Sequence, residues 1–384
     1  MGTVGSPSLP PARGHAVSAP LFLCVVGTRP EAIKMAPVIR ALQQAPWARV
    51  RVLATAQHRD LLDQVLQTFG IVPDVDLDLM QPNQDLTALT ARMLTTLDRV
   101  LQQEQPQAVI AQGDTTTVMV AALASFYRQI PFGHVEAGLR TGDLRNPFPE
   151  EMNRILAGHL AHWHFAPTPR ARDNLLRENL DPARVHVTGN TVIDALHTVA
   201  ASTMARPVNP GHRMILVTAH RRESFGAPLE QICQALLQLT ETYPDVEILY
   251  PVHPNPNVRQ TVAAWLGGRP RIQLCDPLDY VPFIAAMKAA TLILTDSGGV
   301  QEEAPALAKP VLVLREETER PEAVEAGVAA LVGTRREDIV QGVRRLLDSP
   351  EAYRDMARGS SPYGDGQAAQ RIVTVLRNHF VPCS

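Results

Sequence analysis

Short runs of apolar residues alternate with amphipathic helical segments along nearly the whole chain, and this alternation restricts the possible folds more than any other feature. The apolar runs are only a few residues long and are continuously apolar, which is typical of strands buried on both faces of a parallel sheet. The helical segments between them would cover those two faces. The pattern therefore predicts an α/β fold with doubly wound parallel sheets.

In the first half of the chain, the predicted strands are Leu21–Val26, Val50–Ala54, Ala108–Ala111, Phe132–Val135, His162–Phe165 and Val185–Val187. The predicted helices between them are Ile33–Gln43, Asp60–Phe69, Leu86–Gln103, Thr116–Tyr127, Glu150–His159 and Arg170–Glu178. In the second half, the predicted strands are Met214–Val217, Val246–Tyr250, Ile272–Leu274, Leu292–Leu294 and Val311–Leu314. The helices predicted there are Leu229–Thr240, Val258–Trp265, Val281–Lys288, Val300–Leu307 and Glu337–Leu347.

A stretch rich in proline and glycine near residues 201–212 interrupts the alternation, which then restarts. We therefore predict two domains of similar size, at residues 21–200 and 211–360, whose sheets present their carboxyl edges to a shared cleft. Residues 1–20 are rich in Pro, Gly, Ser and Ala and are predicted to be a disordered leader. Residues 361–384 are predicted to form a helix that packs back on the first domain.

Composition excludes several classes of function. The 384-residue chain has a net charge of −3 and so lacks the basic field that a nucleic-acid-binding protein uses. No apolar run approaches the roughly 18 residues that a bilayer-spanning helix needs. The four cysteines are scattered, which indicates reduced thiols in a cytoplasmic protein and provides no zinc site. We expect no metal, no membrane and no nucleic-acid partner.

The segment from Leu292 to Arg320 combines the features of a phosphate-binding loop. An apolar strand runs into Thr-Asp-Ser-Gly-Gly and then a predicted helix, so backbone N–H groups at the helix start could receive an anion. Ser297 is predicted to cap this helix, with Glu302 and Glu303 in its first turn. An ordinary strand–loop–helix corner would explain the same residues, so this segment alone leaves both interpretations open.

Charged residues also follow the strands of the first domain. Arg29 and Lys34 come directly after the first strand and favour an anionic ligand, although a turn with proline at the helix start would also explain this loop. Asp114 could be a cleft carboxylate, but its place before the helix at Thr116 favours an N-cap.

Glu136 follows an apolar strand directly and has no capping role, so we expect it to point into the cleft. Glu150 starts a predicted helix and is explained equally well by the helix dipole. In the second domain His220, Arg221 and His253 follow two strands, and such groups suit a site that handles phosphate and protons. Polar groups at so many strand ends indicate one shared site.

These residues indicate a site for a nucleotide sugar. The chain contains neither the Gly-x-Gly-x-x-Gly fingerprint of dinucleotide folds nor a P-loop, so NAD and P-loop chemistry are poorly supported. Cations could hold a diphosphate, and paired carboxylates suit oxocarbenium-like chemistry at a sugar. The residues alone leave transfer, hydrolysis and isomerisation open.

The order and spacing of ten motifs resemble the non-hydrolysing UDP-N-acetylglucosamine 2-epimerases of bacteria. From Leu21 to about Phe380 these motifs are GTRPEAIKMAPV, TAQHR, QGDTTT, GHVEAGLRTGD, PEEMNR, TGNTVIDAL, TAHRRESFG, YPVHPNPNVR, LTDSGGVQEEAP and ETERPEAVEAG. The resemblance implies two Rossmann-like domains facing a central cleft (the GT-B fold), a homodimer, and interconversion of UDP-GlcNAc and UDP-ManNAc without NAD or metal. It also implies anti elimination of UDP to give 2-acetamidoglucal, followed by re-addition.

The resemblance further implies roles for individual residues. The positions that match substrate-binding residues of the family are Arg29, Lys34, Asp114, Glu136, His220, Phe283, Ser297, Gly298, Gly299, Glu303 and Arg320. Those that match its catalytic residues are Asp114, Glu136, Glu150 and His220. Glu303 would hold the ribose hydroxyls, and Ser297 to Gly299 the diphosphate. We favour Asp114 as the base that takes the C2 proton.

Bacterial members of this family also bind a second UDP-GlcNAc as an activator. The positions that match this effector region are Gln57, Gln84, Arg221 and His253. Two positions depart from the pattern: Asn83 replaces an arginine that some members have in that region, and Leu278 replaces a glutamine that contacts uracil in some members. The alternatives are a hydrolysing 2-epimerase that releases UDP and ManNAc, and a GT-B glycosyltransferase or nucleotide-sugar-binding protein.

Overall fold

The computed structural model describes residues 19–55, 59–79, 85–221 and 224–381, with no side-chain environment for residues 59–61. In this part of the chain, two sheets are formed in which all the strand pairs are parallel. The strands of the first sheet are β1 (Leu21–Val26), β2 (Arg49–Ala54), β3 (Val75–Asp76), β4 (Ala108–Gln112), β5 (Phe132–Val135), β6 (Trp163–Ala166) and β7 (Val185–Val187). Those of the second are β8 (Arg213–Thr218), β9 (Val246–Pro251), β10 (Ile272–Cys275), β11 (Leu292–Thr295), β12 (Val311–Val313) and β13 (Ala329–Leu331).

Helices connect these strands and cover both sheets. In the first half they are α1 (Arg29–Gln43), α2 (Arg59–Thr68), α3 (Leu86–Glu104), α4 (Thr116–Tyr127), α5 (Glu150–Leu160), α6 (Pro169–Arg177) and α7 (Thr191–Ser202). In the second half they are α8 (Ala227–Thr242), α9 (Pro256–Leu266), α10 (Tyr280–Ala289), α11 (Gly298–Ala306), α12 (Pro321–Glu325), α13 (Arg336–Asp348), α14 (Pro350–Met356) and α15 (Ala368–Phe380).

The strand order reverses direction at the middle of each sheet. The first sheet has the order β3-β2-β1-β4-β5-β6-β7, and the second has β10-β9-β8-β11-β12-β13. In a doubly wound sheet, the loops that leave the two strands at such a reversal diverge and open a crevice at the carboxyl edge. The prediction of two doubly wound α/β domains is therefore confirmed.

The local sequence explains why α1 begins directly after the short loop that follows β1. Thr28 accepts a hydrogen bond from the Glu31 backbone N–H, and the Glu31 carboxylate accepts one from the Thr28 N–H, which together form a capping box. Pro30 lies at the helix start, where its missing N–H costs nothing. Arg29, the first residue of α1, is consequently fixed near the carboxyl end of β1.

The C-terminal helix α15 packs on α1 and α7 of the first half of the chain. The buried Asp194 carboxylate of α7 accepts hydrogen bonds from the backbone N–H groups of Ala368 and Ala369, at 3.2 and 2.9 Å. At the other end of α15, the Phe380 ring meets the Phe22 ring edge-on at 5.2 Å. The exact domain boundaries given above stay predictions.

The sequence pattern missed α7, because burial in this helix does not follow the polarity of its residues. Residues 191–196 are all buried, the polar Thr191 and Asp194 among them, and the exposed residues lie in its second half. This helix contacts α1 and α15 on the side of the first sheet and α10 and α11 on the side of the second sheet. It therefore lies between the two sheets. The short elements β3, α12 and β13 were also missed.

Two local predictions at α11 are wrong. Ser297 occupies the N-cap position, but its side chain makes no capping hydrogen bond. The helix begins at Gly298 rather than at Val300, so Glu302 and Glu303 lie in its second turn and not in the first. Among the described residues, no helix combines the length and the apolar character needed to cross a bilayer.

Gly138 gives a test of how tightly the loop after β5 is packed against α6. It adopts φ +92°, and a Cβ atom there would lie 2.2 Å from the Ala171 carbonyl oxygen. Gly142 in the same loop has φ +83° with open space around it. We expect Gly142→Ala to lower the free energy of unfolding by about 1–2 kcal/mol through the left-handed backbone alone, and Gly138→Ala to lower it by about 1–3 kcal/mol more.

Urea unfolding followed by circular dichroism measures both losses. Gly142→Ala is the matched control, because it shares the backbone conformation and lacks the collision. Equal losses in the two variants would contradict close packing of this loop on α6.

Candidate active site

The carboxyl edges of both sheets meet at a cavity of about 600 Å³. The first half of the chain contributes Arg29, Pro30, Ile33, Lys34 and Val192 to its wall. The second half contributes Thr218, His220, Pro251, His253, Pro277, Leu278, Tyr280, Phe283, Ser297, Gly299, Val300 and Glu303. Most of the predicted binding residues are thus brought together, although they come from distant parts of the sequence.

Asp296 fixes the loops on the second side of the cavity. Its side chain is fully buried, and one carboxylate oxygen accepts hydrogen bonds from the backbone N–H groups of His220 and Arg221, both at 2.7 Å. The His220 ring stacks on the His253 ring at 5.3 Å with 10° between the planes. Burial, followed by the neighbouring His220, lowers the pKa of His253. Sequence reasoning missed Asp296, although it stands inside the Thr-Asp-Ser-Gly-Gly stretch.

Glu303 lies deep in the cavity wall. Its carboxylate accepts a hydrogen bond from the Tyr280 hydroxyl at 2.9 Å, and burial raises its pKa to about 7. Near neutral pH this group therefore exists in both protonation states. Phe283 and Leu278 also line the cavity, and both are partly buried against the neighbouring apolar core.

Lys34 connects the cavity to a buried cluster of charges. Its ammonium group donates to both oxygens of Glu136, at 2.7 and 2.8 Å, and lies 3.8 Å from Glu302. Burial acts to lower the pKa of Lys34, but Glu136 and Glu302 outweigh it and hold the pKa above its ordinary value. Burial likewise acts to raise the pKa of Glu136, and Lys34 and Arg320 outweigh it and lower that pKa.

Arg320 completes this charge cluster from the second side by pairing with the Glu302 carboxylate. Asn190 donates to both acids, at 3.3 Å to Glu136 and 3.1 Å to Glu302. Gln112 also donates to Glu136. Sequence reasoning assigned no role to Asn190 or Gln112, and it placed Glu302 only as a carboxylate that suits a helix dipole. Gln112 ends β4 and Asn190 caps α7, which was a signal, but the contacts of all three residues depend on the tertiary fold.

Asp114 does not cap a helix, so the favoured sequence interpretation is wrong. Thr115 is the N-cap residue of α4, and the Asp114 carboxylate instead pairs with Arg154 of α5 at 2.5 Å. Burial raises the pKa of Asp114, and Arg154 opposes that shift. The predicted alternative of a cleft carboxylate fits this environment, although Asp114 lies beyond the wall of the main cavity.

The remaining predicted residues occupy several positions. Glu150 is the first residue of α5, as predicted, and is half-buried. A Cβ atom on Gly298 would lie 3.8 Å from the Arg320 guanidinium, which places this glycine against that cation. Arg221 pairs with Glu319 at 3.3 Å and lines an adjacent cavity of about 450 Å³. Gln57, Gln84 and Asn83 lie outside the described residues.

This geometry suits a phosphorylated ligand that spans the cleft. Backbone N–H groups at the start of α11 and the side chains of Arg29 and Lys34 supply positive charge, and Glu303 supplies an acceptor for hydroxyl groups. The part of the chain that the structure describes contains no group of three or more His, Cys, Asp or Glu residues placed to hold a metal ion.

Comparison with known proteins identifies the family. The family model described as UDP-N-acetylglucosamine 2-epimerase matches residues 40–377. The UDP-N-acetylglucosamine 2-epimerase of Escherichia coli K12 is 54% identical over 371 residues, covering 94% of this chain and 99% of that protein. The corresponding protein of Bacillus subtilis 168 is 49% identical, covering 93% and 95% of the two chains.

Solved structures agree with these sequence matches. The UDP-GlcNAc 2-epimerase of Neisseria meningitidis, in a structure bound to UDP-GlcNAc, has a TM-score of 0.86 at 46% identity and covers 93% of this chain and 99% of that one. A sucrose-phosphate synthase from Thermosynechococcus elongatus matches with a TM-score of 0.65 at 12% identity, covering 95% and 100%, and shares the fold alone. The two facing α/β domains are those of the GT-B fold, and the chain belongs to the UDP-N-acetylglucosamine 2-epimerase family of enzymes.

Proposed function

We propose that this enzyme interconverts UDP-GlcNAc and UDP-ManNAc by the non-hydrolysing route, in which UDP leaves and returns. The observation that carries this proposal is the position of Lys34, which lines the ligand cavity and pairs with the buried Glu136. It brings the anion-binding wall of the cavity next to carboxylates at the edge of the first sheet. A protein that only bound a nucleotide sugar would not need those carboxylates.

The second domain would hold the nucleotide. The backbone of Ser297, Gly298 and Gly299 at the start of α11 would bind the diphosphate, because a helix N-terminus offers free N–H groups and positive partial charge. Arg29 and Arg320 would balance the remaining charge. Glu303 would accept hydrogen bonds from the ribose hydroxyls, with Phe283 as an apolar part of the wall.

The first domain would perform the proton transfers. No carbonyl lies next to C2 of the sugar, so loss of its hydrogen requires positive charge to develop at C1 while the diphosphate departs. Asp114 would take the C2 proton, and the electron pair of the C1–O bond would leave with UDP to give 2-acetamidoglucal. His220 would stabilise the departing diphosphate. After C2 is protonated on its other face, UDP would add back to C1.

Glu136 and Glu150 would stabilise the developing cation or deliver the second proton. The lowered pKa of Glu136 favours the stabilising role, because a group that stays ionised is a poor acid.

Arg221 and His253 would contribute to an effector site for a second UDP-GlcNAc, with Gln57 and Gln84. The product would supply ManNAc for cell-surface polysaccharide, from a cytoplasmic enzyme with reduced cysteines.

The proposed route predicts a specific isotope pattern. Incubation of the enzyme with UDP-GlcNAc alone in D2O should give UDP-ManNAc that carries deuterium at C2, because the second proton comes from solvent through an enzyme group. NMR spectroscopy of the sugar measures both the product and the label. Free ManNAc and UDP as the main products would instead establish a hydrolysing epimerase, and an absolute need for an acceptor would establish a transferase.

The same experiment on a variant tests whether Asp114 is the base that takes the C2 proton. Asp114→Asn should keep its affinity for UDP and lose exchange at C2, because an amide has almost the same shape and is not a base. Asp355→Asn is the matched control, since Asp355 pairs with Arg358 on the exposed surface of α14. Unchanged exchange in Asp114→Asn would remove Asp114 from the mechanism.

The raised pKa of Glu303 predicts that binding depends on pH. Ribose hydroxyls that donate to Glu303 stabilise its ionised form, so the bound pKa must fall below the free value of about 7 and binding must release a proton. Affinity for UDP-GlcNAc should therefore rise with pH by up to about tenfold per unit and level off above pH 7.

Calorimetry on the Asp114→Asn variant, in buffers of different ionisation enthalpy, measures the released proton without interference from turnover. Glu303→Gln in the same background should bind more weakly and show no pH dependence. Proton release that persists in Glu303→Gln would assign the titration to another group.

A homodimer is part of this proposal, and an exposed apolar stripe on and before α5 supports it. Phe148, Met152 and Leu156 follow one another at helical spacing and are 67%, 38% and 42% exposed. Light scattering should give the mass of two chains, and Leu156→Glu should shift it towards one. Met204→Glu, at an exposed apolar residue away from α5, should leave the dimer intact, and a wild-type monomer would contradict the proposal.

A further inference from the structure

The inward face of α5 carries three polar residues that are almost completely buried. Glu151, Asn153 and Arg154 are 0%, 1% and 8% exposed. Buried polar groups of this kind are costly unless they are fully paired, so their partners indicate what the helix face does. All three reach loops at the carboxyl edge of the first sheet.

Two neighbouring residues of α5 hold Asp114 by its backbone and by its side chain. Asn153 Nδ2 donates to the Asp114 carbonyl oxygen at 3.0 Å, and Arg154 Nη2 donates to Asp114 Oδ2 at 2.5 Å. The preceding residue is also held, because His134 Nε2 lies 2.7 Å from the Gly113 carbonyl oxygen. The direction of the Asp114 carboxylate is thus set mainly by α5.

Glu151 fixes Arg154 in turn. One of its carboxylate oxygens accepts hydrogen bonds from the backbone N–H groups of Thr141 and Gly142, both at 3.0 Å. The other lies 3.2 Å from Arg154 Nη1, one helical turn away. The guanidinium therefore lies between two carboxylates, one of which is tied to the loop after β5.

The charges around Asp114 explain why this arrangement matters for a base. Burial raises the pKa of Asp114, and the nearby Glu136 raises it further, whereas Arg154 and Lys34 lower it. Arg154 also acts on Glu319 of the second domain, and it is shared between the carboxylates of Asp114 and Glu151. A base must be ionised before it can accept a proton, yet it must not be paired so strongly that it becomes a weak base.

We propose that Arg154, anchored by Glu151, keeps Asp114 ionised and directed towards the sugar, so that both are positioning residues of the epimerase reaction. This inference rests on the proposed function, with Asp114 as the group that takes the C2 proton. Neither residue needs to touch the substrate. Arg154 would set the strength of the base, and Glu151 would limit the influence of Arg154.

The test follows the exchange of the C2 hydrogen with D2O, by NMR, between about pH 5 and pH 9. In Arg154→Met the acid limb of the rate profile should move to higher pH by about one unit or more, because Asp114 loses its cationic partner. The rate at pH 7 should fall by about tenfold to a hundredfold. In Arg154→Lys, which keeps one positive charge, the limb should move less.

Glu151→Gln should shift the same limb in the opposite direction. The amide can still accept from the Thr141 and Gly142 N–H groups, but it no longer draws charge from Arg154, so Asp114 should ionise more readily and the limb should move to lower pH. General damage to the loop would not move the limb in opposite directions in the two variants. KM for UDP-GlcNAc should change by less than about twofold in both.

Arg344→Met is the control for loss of an arginine, because Arg344 pairs with Asp348 on the exposed face of α13. An unchanged acid limb in Arg154→Lys and Glu151→Gln, with UDP affinity retained, would overturn the inference. So would a raised KM with unchanged kcat, since that would make Arg154 a substrate contact. If Arg154→Met does not fold, the other two variants still decide. The wild-type enzyme shows whether the proposed function itself fails, because it would then give no deuterium at C2 of UDP-ManNAc. Failure of the inference alone would leave this wild-type exchange intact.

Discussion

The cleft depends on a buried cluster of four charges, formed by Lys34 and Glu136 of the first domain with Glu302 and Arg320 of the second. Each of these ions has lost most of its water, so each is stable only while its partners stay in place. Because the positive and negative charges balance, the two sheet edges can face each other without an uncompensated buried charge. The same requirement limits which substitutions the centre of the cleft tolerates.

The cluster also explains how the two sides of the cleft can differ in their tasks. Asp296 orders the loop of His220 and Arg221 through backbone hydrogen bonds, which fixes the second side of the cleft, where we propose that the anion binds. The first side places ionisable side chains on strand ends and on α5, where neighbours control their protonation. Lys34 belongs to both the cavity wall and the cluster, so it links the proposed anion site at the wall to Glu136.

Sequence reasoning succeeded where the information is local. The strands, most helices and the charged loops after β1, β5 and β8 follow from apolar runs and the residues that end them. It failed at Asp114, because an Asp before a helix has a common local explanation, whereas its actual partner Arg154 lies 40 residues away. It missed α7 because the first six residues of this helix are buried whatever their polarity, and it placed Glu302 in a first turn without finding its partners, which come from both domains.

The surroundings of Asp114 and Glu136 shift their pKa values in opposite directions, and this difference favours the proposed division of roles. Burial and Glu136 push the pKa of Asp114 up, whereas Lys34 and Arg320 hold the pKa of Glu136 down. Two acids near one sugar that differ in this way suit different tasks, one exchanging a proton and the other remaining charged. A Glu136 whose pKa is held down by Lys34 and Arg320 suits the proposed stabilisation of positive charge at C1. Asp114 is the proposed base, and its pairing with Arg154 opposes the rise that burial causes in its pKa.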